Sequence, residues 1–162
     1  MQNIDDTSDT SFPLFRPDVS ETPAEYRFLL IKIVGKDRCS KEKVLGAIRS
    51  GLKFECLEIL SENFKMSLKE VLNLLLINPS AMVRRRASGF LAVDESDRVV
   101  RFVNIFDIAV KLFDGNKAQA LKWLKSPSAM LDNHSALYHS QTEIGARDVE
   151  QLCGRIQHGI FC

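Results

Sequence analysis

The chain has 162 residues, 45% of them hydrophobic and 27% charged, with a formal net charge of +1. That is enough apolar material for a real core, as one domain or two small lobes, but no apolar run reaches the roughly 20 residues of a membrane span. The start also lacks the basic and apolar regions of a secretory signal, so a cytoplasmic protein is expected. Cys39, Cys56, Cys153 and Cys162 are scattered without close paired spacing, which argues against a disulfide framework.

The charge is unevenly spread. Residues 1–20 carry one Arg and four Asp, a net −3; residues 21–90 carry thirteen basic against eight acidic side chains, +5; residues 91–162 carry eight against nine, −1. The basic excess sits in the middle segment, where a nucleic-acid partner would find it.

Residues 1–20 are rich in Asp, Ser and Thr, with Pro13 and Pro17 among few apolar groups, and read as a flexible leader. Phe12, Leu14 and Phe15 are its candidates for docking. Thr22-Pro23-Ala24-Glu25 has the N-cap, Pro and acid of a helix start, while YRFLLIKIV is β-branched and aromatic enough to leave a short strand open until Gly35. From Ser40 the pattern turns to short amphipathic helices. Ser40 caps KEKVLGAIRSG, with a stripe of Val44, Leu45, Ala47 and Ile48. A second helix carries Phe54, Leu57, Ile59 and Leu60 and runs out near Asn63. Ser67-Leu68-Lys69-Glu70 is a capping box that opens a third, striped by Leu68, Val71, Leu72 and Leu75. Asn78-Pro79-Ser80 breaks the chain, Ser80 being available to cap AMVRRRASG.

A capped helix, a short break and a second helix with three consecutive Arg outline a helix-turn-helix over residues 21–90. Residues on a helix point about 100° apart, so Arg84, Arg85 and Arg86 cannot all read one base. One or two would hold phosphates, with Ser80, Ala81 and Met82 nearer the base edges. The alternative is that the three form a solvated face.

From Asp94 to Phe113 the stripe Val99, Phe102, Val103, Phe106, Val110 and Phe113 is widened by Ile105, Ile108 and Leu112, predicting a helix buried on two sides. Asp114-Gly115-Asn116 is a turn carrying a new N-cap, and KAQALKWLK, with the only Trp, ends at Ser126-Pro127. Val149, Leu152, Cys153 and Ile156 line one face of a last helix that Gly159 stops. The tail Ile160-Phe161-Cys162 is too apolar for a frayed end and too short to pack as an element, which suits insertion into a partner. No stretch here alternates at period two, so the expected fold is all-α, with a second helical lobe over residues 91–162.

The run ESDRVVRFVNIFDIAVKLFDGNKAQALKWLKSP, followed by TEIGARDVEQLCGRIQHGIF, resembles the toxin-binding domain of the Xre/MbcA/ParS antitoxins. The matching positions include Glu95, Ser96, Arg98, Arg101, Ala109, Phe113, Ala118, Trp123, Leu124, Pro127, Leu131, Thr142, Gly145, Val149, Leu152, Arg155, Ile156 and Gly159. LNLLLINPSAMVRRRA resembles the family's N-terminal helix-turn-helix. The resemblance implies an antitoxin that blocks a toxin encoded beside it, for this layout a RES-domain enzyme that consumes NAD, and that represses its own operon on operator DNA as a homodimer or higher assembly. The cofactor would belong to the toxin. The toxin-binding residues would be Arg147 and Arg155, pairing with acidic groups at a cleft rim, with His158 and the inserted Ile160, Phe161 and Cys162. Two departures stand out. Asp132-Asn133 and Ala136 replace a Gly-Gly pair and a following Pro, and Val93 stands where a Ser cap is usual.

His134, His139, Cys153, His158 and Cys162 could suggest zinc, but Cys153 and His158 diverge on a helix. Asp94, Glu95 and Asp97 resemble a catalytic carboxylate cluster, yet acids at a helix start favour its dipole. No phosphate loop or nucleophile elbow is present, so no catalysis and no cofactor or metal is expected. A plain helix-turn-helix transcription factor with a ligand-binding or dimerisation lobe is the competing function.

Overall fold

The computed structural model describes residues 28–35 and 40–159. The expected leader, the helix start at Thr22-Pro23 and the tail 160–162 lie outside them. Among the described residues the fold is all-α apart from two short strands. The first helix, α1 (Phe28–Val34), answers the open choice at YRFLLIKIV in favour of helix. Its β-branched residues are poor helix formers, and seven residues cannot hold a helix unaided. The stabilisation comes from elsewhere: the carboxylate of Asp107 accepts the backbone N–H groups of Leu29 and Leu30, each at 3.1 Å, while Leu29, Leu30 and Val34 are buried.

Four helices follow. Ser40 caps α2 (Lys41–Ser50), whose Val44 and Ile48 point inward. α3 (Cys56–Phe64) buries Cys56, Leu57, Leu60 and Phe64. α4 (Leu68–Leu74) opens with the expected capping box, the Glu70 carboxylate accepting the Ser67 amide at 2.6 Å. The Ser67 hydroxyl, which donates to the same carboxylate at 2.7 Å, and then that amide hold the Glu70 carboxyl below the usual carboxylate range. After the break comes α5 (Pro79–Ser88).

The long helix α6 (Val93–Leu112) is the spine, with α1, α2, α7 and α9 packed on it. α7 (Lys117–Lys125) is capped by Asn116 as the turn chemistry predicts. α8 (Ala136–His139) and α9 (Glu143–Gln157) close the described chain. Val99, Phe102, Val103, Ile105, Phe106 and Ala109 of α6 are wholly buried, and the Phe106 ring lies 5.3 Å from that of Phe64. One contiguous apolar cluster extends from Leu29 to Cys153.

The Val93 departure is answered from inside the helix. Ala92 is the N-cap and offers no side-chain acceptor, so the Glu95 carboxylate folds back to accept the Ala92 amide at 2.8 Å. Ser96 is buried next to it, accepting the Leu52 N–H at 2.9 Å. The Gly-Gly departure is answered equally directly. Asp132 and Asn133 lack the backbone freedom of Gly, yet both adopt left-handed backbone, with φ of 53° and 60°. Asp and Asn tolerate that region best among residues with a Cβ. The bend brings β1 (Pro127–Ser128) antiparallel to β2 (His134–Ser135), and the Asn133 amide donates to the Ser128 carbonyl at 2.9 Å. Ala136 is the first residue of α8, where Pro also fits because the amide it lacks has no helical partner.

Candidate functional site

Two surfaces hold the residues singled out from the sequence. On the first, the N-cap of α5 is Asn78 and not Ser80: the Asn78 side chain accepts the Ala81 amide at 2.7 Å with Pro79 behind it. Ser80 is the second residue of the helix, its hydroxyl donating to Asn78 at 2.8 Å. The exposed face of α5 is therefore Ser80, Val83, Arg84 and Ala87, at i, i+3, i+4 and i+7. Val83 is 67% exposed, whereas Ala81 is only 6% exposed and faces the core. Met82 is half-buried against that core.

The three arginines separate. Arg84 points to solvent. Arg85 donates through Nε to the buried Glu95 carboxylate at 2.7 Å, pinning α5 to the start of α6. Arg86 lies over the Phe54 ring at 5.6 Å from its centroid. The sequence run could not distinguish them, because the partners Glu95 and Phe54 come from other elements. Val83 and Ala87 were missed for the opposite reason, apolar residues on a helix being read by default as inward.

The second surface is α9 and what surrounds it. Thr142 caps the helix by accepting the Gly145 amide at 3.0 Å. Gly145 lies against the carbonyl oxygen of His139, so close that a Cβ would overlap it. Arg101 of α6 clamps this corner. It reaches Asp97 at 3.1 Å, Glu143 at 3.2 Å and the Gln141 carbonyl at 3.3 Å. Glu143 is shared with Arg147 at 3.1 Å, so Arg147 belongs to a surface network. Arg155 and His158 are exposed near the helix end, and Gly159 turns the chain with φ of 66°.

Val149, Leu152 and Cys153 are buried as the stripe predicted. Burial pushes the Cys153 thiol up to about 12, and half-burial raises the Glu150 carboxyl. Ile144 is 77% exposed, and exposed Tyr138 stacks on His134 at 4.8 Å. Ile144 lies about 140° from the Val149 direction, and departure from the stripe was the available signal for it. The histidines diverge: His139 meets Asp148 at 3.2 Å, while His134 sits on Tyr138. No cluster of three or more metal-ligating side chains occurs among the described residues.

Residues 109–159, from within α6 to the turn after α9, match the antitoxin Xre/MbcA/ParS C-terminal toxin-binding domain. An antitoxin Xre from Yersinia enterocolitica is 30% identical over 141 residues, covering 86% of this chain and 95% of the relative. The chain belongs to the Xre/MbcA/ParS antitoxin family. A second relative, an antitoxin Xre from Photorhabdus laumondii, is 46% identical over 78 residues, 47% of this chain and 53% of that protein.

As an antitoxin the chain acts by binding rather than catalysis. The carboxylates that resembled a catalytic cluster each hold an arginine: Asp94 meets Arg98 at 3.0 Å, Glu95 meets Arg85 and Asp97 meets Arg101. No helix among the antitoxin's described residues is long and apolar enough to cross a membrane.

Proposed function

We propose that this antitoxin blocks the active site of a RES-domain, NAD-consuming toxin through α9 and the residues that follow it, and represses its own operon through α5. The observation that carries the first part is the extent of the toxin-binding match, which ends at Gly159 where α9 has just terminated. Ile160, Phe161 and Cys162 would enter the toxin's cleft, with Arg155 and His158 at its rim and Arg147 contributing if its hold on Glu143 is exchanged for a toxin carboxylate. The apolar groups beside them, Ile144 and Tyr138, extend the contact area this surface offers.

For DNA, the support is the outward face of α5. Ser80 and Val83 would approach base edges while Arg84 holds a phosphate. In this reading residues 21–90 form the DNA-binding unit and 91–162 the toxin-binding unit, and a homodimer presents two α5 helices to two half-sites. The antitoxin should be co-expressed with the product of the adjacent reading frame, and NAD consumption measured with the full chain and with a chain ending at Gly159. Inhibition by the full chain and its loss on truncation is the expected result. Equal inhibition by both would move neutralisation to another surface.

A further inference from the structure

A groove of about 540 Å³ opens between α3 and α7, its α7 wall lying within the toxin-binding match but apart from α9 in the sequence. Its floor is apolar, made by Phe106 of the spine and Leu121 of α7, and its rim is basic, made by Lys65, Lys117, Lys122 and Lys125. Counting Glu62, the lining carries four positive charges against one negative, a net +3. Glu62 stands at the α1 side, 3.8 Å from Lys32. The groove thus asks for a ligand with two properties at once, apolar side chains for the floor and anionic groups for the rim. A phosphate backbone meets only the second.

We propose that this groove is the seat of the chain's own residues 1–20. That segment carries four Asp and one Arg, a net −3 against the groove's +3, and it places Phe12, Leu14 and Phe15 within four positions. The tether also fits. The described chain begins at α1, whose Lys32 stands 3.8 Å from Glu62 of the groove lining. From Phe15 to Phe28 is thirteen residues, which can span up to about 45 Å, so the segment starts beside the groove with length to spare. Being tethered, it competes at an effective concentration in the millimolar range, and weak contacts suffice. The rim pairs are exposed and screened by salt, whereas the apolar anchors are not. Docking therefore needs Phe12 and Phe15 as well as the aspartates.

Zero-length carbodiimide coupling of the full chain tests this, because it joins a carboxylate only to an amine already in contact. The expected products join Asp5, Asp6, Asp9 or Asp18 to Lys65, Lys117, Lys122 or Lys125. In a mixture of ¹⁴N- and ¹⁵N-labelled chains they should arise within one chain. The full-length double variant Phe12→Ser, Phe15→Ser keeps every charge and should lose these products at least about fivefold, with an unchanged helical circular dichroism spectrum. Three results would each overturn the proposal: coupling spread evenly over lysines outside the groove, coupling mainly between chains, or products indifferent to the double variant. The second would assign the groove to another copy, and the third would reduce the attraction to charge alone.

Discussion

At Gly145 the absence of a side chain decides whether α9 can sit against α8, since a Cβ there would overlap the His139 carbonyl oxygen, which is backbone and cannot step aside. Gly145→Ala should therefore cost about 3 kcal/mol, the upper part of the usual overpacking range, read as a lower urea midpoint. Gly46 is the internal comparison, because a Cβ there meets nothing within 4 Å. Gly46→Ala should be neutral or slightly stabilising, by up to about 1 kcal/mol, in the middle of an exposed helix face. The thiols give a prediction in pH. Burial pushes both Cys56 and Cys153 from 9.0 up to about 12. As pH rises past 9 the unfolded chain releases these protons and the folded chain keeps them, so stability is full below 9 and falls progressively toward 12. Replacing both by Ala should flatten that alkaline slope in urea titrations. In the folded wild type both should also resist iodoacetamide at about pH 8.5, because the reactive thiolate is suppressed.

Among elements, the bend after Leu131 shows why substitution need not mean a changed structure. Asp132 and Asn133 hold φ of 53° and 60°, and replacing both with Gly should leave β1, β2 and α8 in place. Val at either position should cost about 1–2 kcal/mol, since a β-branched residue is strained there; thermal unfolding of the three variants tests the order. The arginines of α5 give a contrast of two readouts. Arg85→Ala leaves the Glu95 carboxylate buried without its cation and should lower the urea midpoint. Arg84→Ala should leave the urea midpoint unchanged and reduce the salt slope of promoter binding by about one unit. Elements of this kind were legible in the sequence wherever the cause was local. The capping box at Ser67, the Asn116 cap, the α6 stripe and the Gly159 stop all depend on residues within one or two turns. Arg85 and α1 depended on distant partners, Glu95 and Asp107, whereas Val83 escaped notice because apolar helix residues are read by default as inward.

Across the whole molecule, several hydrogen bonds tie the first five helices to the helices that follow them. Gln141, before α9, donates to the carbonyls of Asn73 and Leu74 at the end of α4, at 3.4 and 3.3 Å. Lys125 of α7 donates to Lys65 at 3.0 Å, and Asp107 holds α1. Asp107→Ala strands two buried amides and should cost about 3 kcal/mol, with amide exchange at Leu29 and Leu30 accelerating before the rest of the core. The same contact sets an order of events during synthesis. The amide of Leu29 and its acceptor are 78 residues apart, so at about 5–20 residues per second the ribosome adds Asp107 roughly 4 to 16 s after Leu29 has been made. Throughout that interval the sticky Leu29–Leu30 segment has no acceptor to close on. A nascent antitoxin chain is thus a target for proteases and chaperones at its first helix until the middle of its spine has emerged.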